Sequence, residues 1–203
     1  MIAGLAQAAN IRYKANGDWF DTTDATGDSN GWQGTALPGT ADTARANWGG
    51  NTVTLSGIAP TINKFELGVN ESGEFHIMNG GQLTTLADSR IGNNQNGDAD
   101  TGTLTIDAGG TVTVGGWLGL GHGTFGNATV EGTLNANSHL WMGATGNAQS
   151  IGTLTINNGG IVNVGGQIGL GTINASSASG GTGTVTVASG GLLSLHHWND
   201  TES

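Results

Sequence analysis

Five stretches of this chain repeat one pattern, beginning at Gly73, Gly102, Gly126, Gly152 and Gly183. The clearest pair is Gly102-Thr-Leu-Thr-Ile-Asp-Ala-Gly-Gly-Thr-Val-Thr-Val-Gly-Gly-Trp-Leu-Gly-Leu-Gly121 and Gly152-Thr-Leu-Thr-Ile-Asn-Asn-Gly-Gly-Ile-Val-Asn-Val-Gly-Gly-Gln-Ile-Gly-Leu-Gly171. Successive starts lie 29, 24, 26 and 31 residues apart. A unit of that size, made of short strands and Gly-rich turns, cannot bury its apolar residues alone. Stacked units share one core, and the result is a solenoid. Such an architecture offers long outer faces rather than a closed pocket, which favours a scaffold or a binding surface over a catalytic cleft.

Within each repeat the apolar residues recur at i and i+2, the strand period, and not at helical spacing. Three alternations follow one another. The first is Phe75/Ile77, Leu104/Ile106, Ala128/Val130, Leu154/Ile156 and Val185/Val187. The second is Leu83, Val112/Val114, Leu134/Ala136, Val162/Val164 and Leu193/Leu195. The third is Leu67, Ile91, Leu118, Met142 and Ile168, each followed by glycine. Three strands per turn with Gly-Gly or Asn-Gly corners describe an all-β fold, a right-handed three-sided parallel β-helix; the hand follows the rule for parallel connections. Apolar residues line the bore, and Thr105, Thr129, Thr155 and Thr186 form an outward ladder. Length variation falls at residues 93 to 101, 144 to 151 and 172 to 182, which are expected to be loops at one corner.

Residues 10–50 differ from the repeats. They hold Trp19, Trp32 and Trp48 beside Tyr13 and Phe20. A solenoid must cover the open end of its core, so this segment is expected to be an N-terminal Trp-rich cap. The β-solenoid then occupies 51–198 as about six coils, and 199–203 is a short tail with the look of a truncation. Residues 1–9 contain Ala6-Gln7-Ala8, the small-residue pattern that ends an export signal, and are read as the remainder of one.

Composition narrows the function. Fifteen acids against five bases give a net charge of −10, a surface that repels a polyphosphate, so no nucleic acid is expected as partner. No apolar run reaches the ~20 residues of a membrane span. The chain has no cysteine, which removes thiol-based metal and redox motifs.

The stretch Asn47-Trp48-Gly-Gly-Asn-Thr-Val-Thr-Leu55 after Pro38-Gly-Thr-Ala-Asp42, with the recurring Gly-Thr-Leu-Thr-Ile-x-x-Gly-Gly-x-Val-x-Val-Gly-Gly pattern, resembles the secreted β-solenoid repeats of planctomycete and related bacterial proteins, some bearing PEP-CTERM sorting tails. It is also similar to the autotransporter-associated β-strand repeats of adhesin passenger domains. The resemblance runs over about residues 30 to 195. It implies an exported protein, extracellular or at the cell surface, and says little about a ligand.

One outward position of the third strand collects side chains suited to recognition. Coil by coil it reads Glu66, Arg90, Trp117, Trp141, Gln167 and Trp198. Neighbouring coils lie ~4.8 Å apart, so Trp117 and Trp141 are expected to stack in one exposed column with Arg90 and Gln167 beside them. Sugar rings suit such aromatic platforms with polar neighbours; a self-stacking ladder that merely stabilises the coil edges fits the same residues. The negative surface favours a neutral polysaccharide or cell-surface glycan. Glu66 and Arg90 read as an exposed ion pair of little value. His122 and His139 are expected at the surface near the Trp column. The turn holding Asn94, Asn96, Asp98 and Asp100 offers oxygen ligands of the kind calcium takes, without an EF-hand spacing or the repeated calcium-binding nonapeptide, so a polar turn is the simpler reading. No other cofactor is implied. Glycosidic cleavage wants two opposed carboxylates, and no strand column holds acids in adjacent coils. These features together point to a non-catalytic exported surface or matrix scaffold, a rigid stalk or adhesin-like spacer. Its alternatives are a carbohydrate-binding module using the Trp column and a non-catalytic segment of a larger polysaccharide-degrading enzyme. The last coil lacks an aromatic or charged cap comparable to residues 10–50, so head-to-tail self-association, or a continuation of the chain, is expected there.

Overall fold

The structure, a computed structural model, describes residues 9–13, 16–22, 31–33, 36–93, 99–143, 150–171 and 181–196. All regular elements among them are strands, and they form three parallel sheets wound coil upon coil, a three-sided parallel β-helix. The first face has seven strands: Gly17–Asp18, Asn51–Leu55, Gly73–Ile77, Thr101–Ile106, Phe125–Val130, Ile151–Ile156 and Thr182–Val187. The second has five: Gln82–Thr85, Thr111–Val114, Thr133–Ala136, Ile161–Val164 and Leu192–Leu195. Isolated bridges from Ile58 to Gln82 and from Ile62 to Thr85 extend it by part of a turn. The third face again has seven: Asn10–Tyr13, Thr43–Ala46, Lys64–Leu67, Ser89–Ile91, Leu118–Leu120, Leu140–Met142 and Ile168–Leu170.

The expected inward columns of the first two faces hold. Phe75, Leu104, Ala128, Leu154 and Val185 pair in one row, and Ile77, Ile106, Val130, Ile156 and Val187 in the next. Leu83, Val112, Leu134, Val162 and Leu193 do the same on the second face. All but those of the last coil are buried, because alternation turns every second side chain into the bore.

The corner between the third face and the first explains why each repeat starts on glycine. Gly73, Gly102, Gly126, Gly152 and Gly183 form one inward column, headed by Asn51. There the backbone of the previous coil fills the space a side chain would need. A Cβ on Gly102 would stand 2.7 Å from Leu67 O. At the head of the column, Asn51 Nδ2 instead donates to Tyr13 O at 2.7 Å.

Residues 10–50 close the bore and also carry the strand pairing one stage further. Asn10–Tyr13 pairs with Thr43–Ala46, which pairs with Lys64–Leu67. Tyr13, Trp19 and Trp32 are buried at this end. Their rings meet edge to face, with centroids 5.0 Å apart for Tyr13–Trp32 and 4.7 Å for Trp19–Trp32, and Trp19 continues onto Phe75 at 5.3 Å. The Trp32 indole N–H donates to Trp19 O at 2.6 Å, and the Tyr13 hydroxyl donates to Asp18 O at 2.8 Å. Trp48 is not part of the plug: it is 43% exposed, because it stands in the tight turn before Asn51–Leu55 instead of on an inward strand position.

Candidate functional site

The outer side of the third face carries the chain's most varied chemistry. Two outward columns run along it. One reads Arg12, Arg45, Glu66, Arg90, Gly119, Trp141 and Gly169. Two positions earlier in each strand, continued one residue beyond the shorter strands, the other reads Asn10, Thr43, Lys64, Asp88, Trp117, His139 and Gln167.

This register corrects the expected Trp column. Trp141 pairs with Gly119, and Trp117 falls in the neighbouring column with His139 and Gln167. The reason lies in the sequence itself: Leu118-Gly-Leu-Gly121 and Ile168-Gly-Leu-Gly171 repeat with period two. A slip of two residues keeps every side chain on its face, so alternation alone cannot detect it. The inward row is accordingly Leu67, Ile91, Leu120, Met142 and Leu170, while Leu118 and Ile168 stack with Ser89 and Leu140.

The two indoles are half-buried, and each meets a histidine instead of the other indole. Trp117 stacks with His122 at 5.6 Å between centroids, and Trp141 leans on His139 at 5.0 Å. Glycine makes both arrangements fit. The outer edge of Trp117 lies over Gly119, where a Cβ would come within 2.9 Å of Cζ3, and Trp141 lies over Gly169 in the next coil. On the side of the preceding coil, the Arg90 guanidinium sits 5.0 Å above the Trp117 ring, a cation–π contact. His122 and His139 are thus half-buried partners of the indoles, not free surface residues. Burial, and then the charge of Arg90, hold His122 below its ordinary pKa. His139 Nδ1 accepts from the Gln167 backbone N–H at 3.0 Å, as Asp88 Oδ1 does from Trp117 N–H at 3.0 Å. Gln167 itself is exposed.

Glu66 also departs from expectation. It is not an exposed ion-pair partner but is 2% exposed and sits among three cations. Arg45 Nε donates to Oε2 at 2.9 Å and Lys64 Nζ to Oε1 at 2.8 Å, with Arg90 Nη1 at 3.6 Å from Oε1. Burial by itself would raise its pKa; the hydrogen bond from Lys64 and the charge and hydrogen bond of Arg45 outweigh that and hold it below the usual carboxylate value. Arg45 lies 21 residues before Glu66, outside the 24-to-31-residue repeat, and Lys64 stands two residues before Glu66 on the same strand, so the repeat marks neither as its partner. Their only signal is the alternation of Thr43-Ala-Arg-Ala46 against Lys64-Phe-Glu-Leu67.

The remaining expected ligands do not gather here. Trp198, Asn94, Asn96 and Asp98 lie outside the described residues. The Asp100 carbonyl accepts from Thr124 Oγ1 at 2.7 Å. Among the described residues, no three His, Cys, Asp or Glu side chains are placed to hold a metal ion, and no helix is long and apolar enough to cross a membrane. On the second face an open groove of about 380 Å³ is lined by Asn135, Asn137, Asn163 and His196. Its amides bond along the axis, Asn163 Nδ2 to Asn135 Oδ1 at 2.9 Å and Asn135 Nδ2 to Thr113 Oγ1 at 3.2 Å. Comparison with family models, with curated proteins and with solved structures returns no match.

Proposed function

We propose that this chain is a non-catalytic exported scaffold, a rigid stalk or adhesin-like spacer at a cell surface or in an extracellular matrix. The observation that supports this most is the unbroken strand pairing of the third face, from Asn10–Tyr13 to Ile168–Leu170. Each coil is bonded to the next along its length and filled with aliphatic side chains, so bending requires breaking several hydrogen bonds together. Antibody labelling of intact cells of the producing organism tests the placement. Labelling that needs permeabilised cells refutes it. Polysaccharide turnover by the purified protein, abolished by a point substitution, refutes the non-catalytic reading.

A second reading, contact with a carbohydrate, is favoured by the seating of Trp117 and Trp141 on glycines with His122, His139 and Arg90 around them. Aromatic walls with a few fixed polar groups are the usual make-up of a sugar site. Retention on immobilised glycans by the parent protein, lost in Trp117→Ala/Trp141→Ala without a fall in Tm, is the expected result. No retention by the parent, with a lower Tm in the variant, leaves the rings a structural role only.

A further inference from the structure

The net charge of −10 conceals an uneven distribution. Of the five basic residues in the chain, four stand on the outer side of the third face: Arg12, Arg45, Lys64 and Arg90. Arg12 lies directly beside Arg45 in register, a like-charge neighbourhood that is unfavourable when left alone. One buried carboxylate, Glu66, serves Arg45, Lys64 and Arg90 together. Among the described residues no carboxylate lies within ion-pair distance of Arg12. Asp42 and Asp88 accept backbone N–H groups, those of Ala9 and Gly39 for the first and of Trp117 for the second. Cations therefore exceed anions on this face of an otherwise acidic molecule.

The cationic segment is continuous with the indoles. From Arg12 to Trp141 there are five steps between paired strands, about 24 Å at ~4.8 Å each. Arg90 joins the two halves, bound to Glu66 on one side and lying over Trp117 on the other. We propose that this strip binds an acidic polysaccharide that carries both charged and uncharged sugars, and the proposal rests on the carbohydrate reading of the indoles. A carboxylate sits at the Arg12 end, where a planar guanidinium with no carboxylate within ion-pair distance among the described residues presents paired donors. Sugar ring faces lie against Trp117 and Trp141. The neutral glycan expected from net charge is replaced by an anionic one, because contact energies are set within a Debye length of ~10 Å and not by the charge of the whole chain. Single-stranded nucleic acid also combines anions with stackable rings. It carries a charge at every unit, and the acidic surface beyond the strip repels the remainder of such a chain.

The test measures binding of the purified protein to three immobilised probes at low ionic strength: hyaluronan, which alternates uronate and neutral sugar, a neutral glucan, and oligo(dT). Hyaluronan is expected to bind best, and Arg12→Gln to weaken it about tenfold, the range of one charge-assisted contact, with Tm unchanged. Trp141→Ala is expected to weaken it as well, and Asn163→Ala on the second face to leave it unaltered. Should Trp141→Ala lower Tm, the outward Arg12→Gln decides alone. Undiminished affinity in Arg12→Gln, or equal binding of oligo(dT), overturns the proposal. Equal binding of the neutral glucan overturns the acidic preference and leaves the indole platform standing. Binding of no glycan at all removes both.

Discussion

Replacing Gly102 by alanine tests the central packing claim, that the corner between the third and first faces has no room for a side chain. The added methyl would stand 2.7 Å from Leu67 O and 2.9 Å from Leu67 C, and closer still to Gly92 N. Those are the acceptor and donor of the hydrogen bond from Gly92 N to Leu67 O, 2.8 Å long, which ties one coil to the next. All the obstructing atoms are backbone, so no rotamer change relieves them. Restoring ordinary carbon contacts of ~3.5 Å requires the corner to open by about 1 Å. Overpacking of this kind costs about 1–3 kcal/mol, and losing the bond adds about 1 kcal/mol. The sum, about 2–4 kcal/mol, corresponds to a fall in Tm of about 4–16 °C for a chain of this size. Gly159→Ala is the comparison, since Gly159 has φ +82° but its nearest obstruction is Glu131 O at 3.9 Å. It meets only the left-handed backbone penalty of about 1–2 kcal/mol. Thermal and urea unfolding followed by circular dichroism measure both. If Gly102→Ala unfolds like the parent, or no earlier than Gly159→Ala, the close approach of the coils at this corner is wrong.

Glu66→Gln is expected to destabilise by about 1–3 kcal/mol, measured by urea unfolding near neutral pH, because it leaves three cations around a neutral amide. Since Glu66 is held below its ordinary value, its contribution is complete above the unfolded carboxylate pKa and disappears as pH falls through the lowered folded value; parent and variant should converge in acid. Tyr13 is the only tyrosine, and burial, with the charges of Asp21 and Asp18, pushes its pKa up to about 12. Phenolate absorbance should therefore rise late in an alkaline titration, and stability should be lost between the unfolded value of about 10 and that higher one. A phenol titrating at its ordinary value would place Tyr13 outside the aromatic plug. Leu195 is 58% exposed on a strand that ends its sheet among the described residues; sedimentation should show concentration-dependent association that Leu195→Lys reduces, and equal behaviour of parent and variant refutes an open edge there.

The repeat was readable because its causes are local. Alternation at Leu104/Ile106 or Val162/Val164 states which side chains enter the bore, and Gly-Gly pairs state where the chain turns. The cap was half-readable. Trp19 and Trp32 plug the bore as their clustering implied, but nothing in composition separates them from the exposed Trp48. The candidate site was the least legible part. Alternation sets Trp117 and Trp141 in one column, because Leu-Gly-Leu-Gly hides a two-residue slip that only the strand pairing resolves.

Sequence by itself determined the strand period, the stacking of units and the inward columns of the first two faces, since each follows from short-range alternation that any coil must satisfy. Tertiary structure alone decided the register of the third face, the gathering of Arg45, Lys64 and Arg90 around Glu66, and the place of Arg12 one strand beyond Arg45. Those residues lie 19 to 33 positions apart from one to the next in sequence, and they become neighbours only because every turn of the solenoid returns the chain to the same face, one strand spacing further along the axis.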